Sequence, residues 1–232
     1  MNSLAVMLTT AQIEAAKRLH ERLPQWMTSD AALNALAERF PGFSDEAVLL
    51  KAVTINSLYG TNVLAIYRMA VHIKQVIEKS DLSMAGPELV EEIALLPPSE
   101  GELAARRHHS FAAKFAHFFI NSERFPVMDS YAIKMVRFHL GLGNYKESKE
   151  QPYSAFVENL RNLKTVAGLD VPNSDLDRYL WIAGEYGAFR KNAKAQISVE
   201  VRQLFTNPPA NIAADLEALM PSILDKAFRG EL

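Results

Sequence analysis

The stretch HSFAAKFAHFFINSERFPVMDSYAIKMVRFH, residues 109–139, decides the fold of this chain. Its first part is apolar on nearly every side, with Lys114 placed among small and aromatic residues. A helix that is hydrophobic around its whole circumference is a buried one. A short loop containing Pro126 follows, and Asp129 then stands where an N-cap residue is expected before a second periodic run. The stretch therefore predicts two helices, with a buried lysine on the first and an aspartate opening the second.

Helical signals continue along the rest of the chain. Apolar residues recur at spacings of three and four, and Ser, Asp, Gly or Pro stands at the ends of the periodic segments. The predicted helices span 10–23, 30–40, 45–59, 61–79, 88–96, 153–167, 174–192, 199–205 and 212–228, in addition to the two in the central stretch. Pro221 is expected to kink or split the last of them. No run of alternating β-branched residues is long enough to predict a strand.

We therefore expect an all-α protein of about ten helices, arranged as two lobes with a cleft between them. No linker rich in Pro, Gly or Ser divides the chain, which predicts a single two-lobed unit over residues 1–232. Residues 45–145 are expected to form the central segment, with the lysine helix in a hairpin-like arrangement. The termini, 1–44 and 146–232, are expected to complete the second lobe.

Composition excludes several classes of protein. A content of 49% hydrophobic and 22% charged residues is typical of a globular chain. No apolar run approaches the roughly 18 to 20 residues of a membrane span, and the N-terminus lacks the features of a secretory signal, so we expect a cytoplasmic protein with no membrane partner. Cysteine is absent, which excludes disulfides, thiolate metal sites and cysteine nucleophiles. The histidines at 108, 109 and 117 lack neighbouring carboxylates, so no metal site is predicted.

The net charge of −2 is unevenly distributed along the chain. Residues 1–102 hold 8 Lys and Arg against 13 Asp and Glu, whereas residues 103–146 hold 7 against 2. A local basic patch on a weakly acidic protein can bind a polyanion. The alternative is a solvated helix face whose counter-charges lie elsewhere in the fold.

Lys114 and Asp129 are the candidate catalytic residues. A charged ammonium among phenylalanines loses its hydration, which favours the neutral amine, and a neutral amine is a nucleophile that can form a Schiff base. An aspartate nearby can stabilise a developing cation or move a proton. The alternative is that Lys114 extends along its stem to solvent and that Asp129 only caps a helix.

Three segments together resemble a known enzyme family. They are AAKFAHFFIN at 112–121, FPVMDSYAIKMV at 125–136 and NSLYGTNVLAIYRMAVHI at 56–73. Their order and spacing resemble the helix-hairpin-helix DNA glycosylase superfamily, and more narrowly its 8-oxoguanine DNA glycosylase-like bacterial branch. The resemblance implies that Lys114 is the Schiff-base lysine and Asp129 the catalytic aspartate, without a metal or organic cofactor. It also places Tyr59 and Asn56 at the gap that an extruded base leaves in the DNA.

The resemblance implies a DNA repair glycosylase, an abasic-site lyase, or both, acting on a base flipped out of damaged double-stranded DNA. The family's hairpin carries two glycines before the lysine, whereas residues 104–111 contain none. Phosphate contacts are therefore expected from side chains, and the candidates are Arg106, Arg107, Ser110, Arg124, Lys134 and Arg137. Two other functions stay open: a catalytically inactive nucleic-acid-binding protein, and a protein-interaction module without a nucleic-acid role.

Overall fold

The computed structural model describes residues 3–98 and 104–219 of the chain. These ranges contain eleven α-helices and one pair of two-residue strands, which confirms the all-α class. The elements are α1 (Thr10–His20), α2 (Pro24–Arg39), α3 (Asp45–Tyr59), α4 (Ile66–Lys79), α5 (Glu88–Ala94), β1 (Leu95–Leu96), β2 (Arg106–Arg107), α6 (His109–Phe119), α7 (Ser130–Leu140), α8 (Pro152–Ala167), α9 (Asn173–Lys191), α10 (Val199–Thr206) and α11 (Ala213–Leu219). The kink predicted at Pro221 lies outside the described residues. Within the described ranges, every helix is too short or too polar to cross a membrane.

Two predicted helix starts are wrong. Helix α2 begins at Pro24 rather than at residue 30, because proline is well tolerated in the first helical position, where its missing N–H would have no partner. Helix α4 begins at Ile66 rather than at residue 61. The intervening residues form a turn that the side chain of Asn56 holds: its amide oxygen accepts from Val63 N at 2.9 Å and its amide nitrogen donates to Val63 O at 3.1 Å.

The short strand pair was not predicted. Strands β1 and β2 are antiparallel, with Leu95 opposite Arg107 and Leu96 opposite Arg106. Two-residue strands carry no alternating pattern, so only the packing of the surrounding helices reveals them. The pair lies immediately before α6, and His108 N donates to Ala94 O at 2.8 Å.

The described chain divides into two compact units. The central unit comprises residues 29–98, 104–128 and 146–158, and the terminal unit comprises 3–28, 129–145 and 159–219. These boundaries differ from the predicted central segment of 45–145. Residues 129–145 belong to the terminal unit because α7 packs along α9.

The core of the central unit is built around α6. Helix α3 packs against α4 and α6, and α5 packs against α4 and α6. Six consecutive residues of α6, from Phe111 to Ala116, are buried. A run of that length covers more than one full turn, so α6 is enclosed on all sides, as its composition predicted.

The core of the terminal unit is built around α9, which packs against α1, α7 and α10. A buried hydrogen bond joins α7 to α9. The imidazole of His139, with none of its surface exposed, lies 2.8 Å from the hydroxyl of Tyr179 and 2.9 Å from the carbonyl of Val6. Because a carbonyl can only accept, Nδ1 donates to Val6 and Nε2 accepts from Tyr179. The buried imidazole is therefore fully hydrogen-bonded in its neutral form.

Two buried histidines of the terminal unit are expected to make its stability depend on pH. Burial lowers the pKa of His20 and of His139 from 6.5 to about 4. The unfolded chain thus binds protons at a higher pH than the folded chain, so this stabilisation is complete above about pH 6.5 and is lost as pH falls toward about 4. Between pH 7 and pH 5 we expect the free energy of unfolding to fall by about 2 kcal/mol for each histidine.

Denaturant unfolding of the His20→Gln variant at both pH values measures this effect. Between pH 7 and pH 5, the free energy of unfolding of the variant is expected to fall by about 2 kcal/mol less than that of the wild-type protein. The same pH dependence in both proteins would contradict the assignment of His20 as a neutral buried imidazole.

Candidate functional site

Lys114 lies in the middle of α6 with only 6% of its surface exposed. Its Nζ donates to the hydroxyl of Ser110, one turn earlier on the same helix, at 2.9 Å. The same nitrogen lies 5.6 Å from the centre of the Tyr59 ring. This burial does not fit the alternative in which Lys114 extends to bulk solvent.

Tyr59 is the last residue of α3 and forms one wall around Lys114. Its hydroxyl donates to Asp30 Oδ1 at 3.3 Å, and its ring packs against Phe118 with the ring centres 5.6 Å apart. Burial raises the pKa of the Tyr59 hydroxyl well above its ordinary value, and the negative charge of Asp30 raises it further. Tyr59 is therefore a neutral hydrogen-bond donor at neutral pH.

We call Asp30, Tyr59, Ser110 and Lys114 the lysine cluster. Tyr59, Ser110 and Lys114 were each predicted as site residues, and the structure brings these three together. Asp30 was missed. It stands inside α2 rather than at a helix start, and a single acid on a helix gives no sequence signal for a tyrosine 29 positions away.

Asn56 lies one turn before Tyr59, and its side chain serves the turn between α3 and α4. The amide oxygen accepts from Thr61 Oγ1 at 2.8 Å as well as from Val63 N. The amide is therefore engaged in positioning the segment next to Tyr59. A direct contact from Asn56 to DNA stays a prediction.

A hydrogen bond between two half-buried side chains fixes the start of α6. His109 Nε2 lies 2.9 Å from Glu91 Oε2, and Glu91 Oε1 accepts from the backbone N–H groups of Tyr153 and Ser154 at 2.7 and 2.9 Å. Burial alone would raise the pKa of Glu91, but the hydrogen bonds from His109, Ser154 and Tyr153 outweigh it and hold the pKa below its ordinary value. One carboxylate of α5 thus joins the first turns of α6 and α8.

The other histidine on α6 is also engaged. His117 Nδ1 lies 3.0 Å from the carbonyl oxygen of Phe125. Across residues 3–98 and 104–219, the structure contains no group of three or more His, Asp or Glu residues arranged to hold a metal ion.

Three arginines predicted to bind phosphate lie at or near the surface of the central unit. Arg106 and Arg107 form the exposed strand β2, and Arg107 Nη1 donates to Glu150 O at 3.1 Å. Arg124 Nη1 donates to Leu82 O at 2.7 Å and to Ala85 O at 3.3 Å. These partners are neutral carbonyl groups, which position a guanidinium group without cancelling its charge. The hydrogen-bond partners thus leave both guanidinium groups charged, and the charge of Arg124 also acts on the nearby Asp81 carboxylate.

Asp129 lies in the terminal unit, at the N-cap of α7, as predicted. Its Oδ1 accepts from the backbone N–H groups of Tyr131 and Ala132, both at 2.9 Å. Two further predicted residues lie on the same helix: Lys134 Nζ is 5.5 Å from the centre of the Tyr131 ring, and the Arg137 guanidinium is 4.9 Å from the centre of the Tyr145 ring. The helix start fixes the orientation of the Asp129 carboxylate.

Glu185, on α9 of the terminal unit, was missed as a site residue. It is 4% exposed, and burial raises its pKa to about 7, with the charge of Asp129 adding to the shift and hydrogen bonds from Ser198 and Trp181 opposing it. Perturbed acids of this kind cluster at functional sites. The available signal was one acid within the inward-facing run LWIAGEYGAF, residues 180–189.

Comparisons with known proteins identify distant relatives of the chain. Residues 11–124, which include Lys114 but not Asp129, match a family model named HI_0787_N and described as an N-terminal domain. An uncharacterized protein of Haemophilus influenzae is 29% identical over 138 residues. That alignment spans 56% of this chain and 62% of the relative, so the chain covers less than two thirds of the relative's length. No solved structure matches the chain.

Proposed function

We propose that the protein is a DNA repair enzyme of the helix-hairpin-helix type, a glycosylase or an abasic-site lyase, with the amine of Lys114 as its nucleophile. The observation that carries the proposal is the burial of Lys114 to 6% exposure beside the Ser110 hydroxyl and the Tyr59 ring. Desolvation favours the uncharged form of an amine, which is the form that attacks carbon. A hydroxyl that accepts its hydrogen bond holds the amine in one orientation.

In the proposed reaction, a damaged nucleotide leaves the base stack and its sugar carbon C1′ faces the amine. A new bond forms between Nζ and C1′, and the bond to the base breaks, so the base departs with the electron pair and is protonated. Opening of the sugar ring leaves an imine, from which the 3′ phosphate can be eliminated. The family resemblance gives the carboxylate of Asp129 the role of stabilising the positive charge that develops on the sugar.

DNA contacts in this proposal come from the basic residues. Arg106, Arg107 and Arg124 of the central unit and Lys134 and Arg137 of the terminal unit bind phosphates, and Tyr59 with Asn56 lies near the gap left by the flipped base. Phosphate contacts release counterions, so affinity for duplex DNA should fall steeply as salt concentration rises. The Glu150, Leu82 and Ala85 carbonyls that bind Arg107 and Arg124 keep these cations in place.

Borohydride trapping tests the proposal directly. The full chain is incubated with duplexes that carry an abasic site or 8-oxoguanine, and sodium borohydride reduces any imine to a stable adduct. We expect a covalent complex whose linked peptide, found by mass spectrometry, contains Lys114. Absence of an adduct on every duplex, or an adduct at another lysine, would refute the proposed role of Lys114.

A protein-interaction role is the second candidate, and one observation favours it. Two large apolar side chains at the junction of α3 and α4 are strongly exposed, Leu64 to 86% and Tyr67 to 69%. Exposed apolar residues that form a contiguous patch mark interaction surfaces, and these two stand three positions apart in the sequence. This candidate predicts no affinity for duplex DNA at low salt, whereas an inactive nucleic-acid binder predicts salt-sensitive affinity without trapping.

A further inference from the structure

Helices α7 and α9 approach each other unusually closely within the terminal unit. A methyl group at Gly184 would lie 2.7 Å from Cβ of Tyr131, which is too close for any residue but glycine. Asp129 precedes Tyr131 by two positions, and Glu185 follows Gly184 directly. The close approach therefore brings the start of α7 beside the middle of α9, with an acid from each.

Glu185 is enclosed at this junction. Its Oε2 accepts from the backbone N–H of Ser198 at 3.4 Å, and the Trp181 indole donates to the same carboxyl group. The negative charge of Asp129 reaches it, and both acids in turn act on the Tyr131 hydroxyl, whose pKa is raised by burial first and then by these charges. The negative charge of Asp129 thus acts on Glu185 across the junction.

Charged groups on the helices around α9 have other partners or lie further along it. From α1, the His20 ring meets the edge of Trp181 with ring centres 6.3 Å apart, and Lys17 pairs with Asp175 in the first turn of α9. From α10, Arg202 donates to the carbonyl groups of Ala193 and Ala195, and Glu200 accepts from Gln25 N. On α7 itself, Lys134 lies over the Tyr131 ring and Arg137 over the Tyr145 ring. Asp129 is therefore the charged neighbour that acts on Glu185 most directly.

We propose that Glu185 is a positioning residue for Asp129. The two carboxyl groups form a pair in which the charge on Glu185 determines how strongly the Asp129 carboxylate attracts the developing cation. This inference rests on the proposed function, in which Asp129 stabilises a developing cation. When Glu185 is ionised, a second negative charge stands behind Asp129 and raises its attraction for that cation. When Glu185 is protonated, Asp129 acts alone, and the reaction is slower.

The test uses the full chain and two conservative variants. Asp129→Asn keeps a side chain that caps helices well, and Glu185→Gln keeps an acceptor for Ser198 N–H. First, carboxyl ¹³C NMR follows the ionisation of Glu185 in the wild-type protein and in Asp129→Asn. We expect its midpoint to fall by at least about half a pH unit in the variant, because a neighbouring negative charge is removed.

Second, the rate of borohydride trapping is compared between the wild-type protein and Glu185→Gln from pH 6 to pH 8. The ratio of the two rates cancels the titration of Lys114, which both proteins share. We expect equal rates at pH 6 and a wild-type rate about 3- to 10-fold higher at pH 8.

Parallel pH profiles, or an unchanged Glu185 midpoint in Asp129→Asn, would overturn the inference while leaving the proposed enzyme intact. No trapping by the wild-type protein would refute the proposed function and the inference with it, and the NMR titration would still report the carboxyl pair. The two failures are therefore distinguishable.

Discussion

Replacement of Lys114 by glutamine is expected to abolish borohydride trapping on abasic-site DNA, lowering the yield at least about 100-fold. Glutamine can still bond to the Ser110 hydroxyl through its amide, but an amide nitrogen cannot attack C1′. Affinity for the same duplex should stay within about 3-fold, because the phosphate contacts proposed for the arginines are untouched. The measurements are adduct yield on a denaturing gel and binding by fluorescence anisotropy.

The chain offers a matched control in Lys51, a second buried lysine of the central unit. Lys51 is 2% exposed, its Nζ donates to Gly42 O at 2.7 Å, and it lies 4.6 Å from the centre of the Phe43 ring. Burial lowers the pKa of Lys51 below its ordinary value. Burial and an aromatic neighbour are therefore common to both lysines, whereas the Tyr59 ring and the Ser110 hydroxyl belong to Lys114.

We expect Lys51→Gln to trap DNA like the wild-type protein once circular dichroism shows that it is folded. Equal losses in the two variants would mean that general destabilisation, rather than a missing nucleophile, explains the result. Full trapping by Lys114→Gln would contradict the proposed mechanism.

Local patterns were sufficient to predict the helices that carry the candidate residues. All-round apolarity identified α6 as buried, and an aspartate before a periodic run identified the N-cap of α7. The start of α2 was not predicted because Pro24 follows the periodic run of α1 and resembles a helix stop, although proline is compatible with a first helical turn. The spacing of apolar residues predicts the interior of a helix more accurately than its first and last residues.

Contacts between distant segments could not be predicted from local patterns in the sequence. The Tyr59 hydroxyl bonds to Asp30 and the Glu91 carboxylate bonds to Tyr153 N, pairs separated by 29 and 62 positions. Such contacts depend on which helices pack together, and one sequence without a template does not contain that information locally. Glu185 could have been singled out as an acid on an apolar helix, but its link to Asp129 needs the packing of α7 on α9.

Replacement of Glu91 by alanine is expected to destabilise the central unit by about 2 to 4 kcal/mol. The Glu91 carboxylate acts as a cap for α8 although it comes from α5, since it accepts from two N–H groups in the first turn of that helix. The same group binds the His109 imidazole, and the two side chains are only 12% and 15% exposed. Alanine would leave two backbone donors and one ring nitrogen without this partner in a region that water reaches poorly.

Two further variants separate the charge of Glu91 from its position. Glu91→Gln keeps one acceptor oxygen for Tyr153 and Ser154 and should lose only about half as much stability as the alanine variant. Glu92→Ala, the adjacent exposed position of the same helix, should change the free energy of unfolding by less than about 0.5 kcal/mol. Urea unfolding followed by circular dichroism measures all three.

The pH dependence of stability in the same variants tests whether the charge of Glu91 causes the destabilisation. The pKa of Glu91 is lowered in the folded protein, so its contribution is complete above the ordinary value of 4.5 and is lost as pH falls through the folded value. The gap in stability between the wild-type protein and Glu91→Gln should therefore be largest near neutral pH and should narrow in acid. In acid, Glu91 is protonated, so Glu91→Gln then replaces a neutral acid by a neutral amide and removes no charge. A stability difference between the two proteins that stays constant down to acidic pH would therefore show that it comes from packing and not from the charge of Glu91.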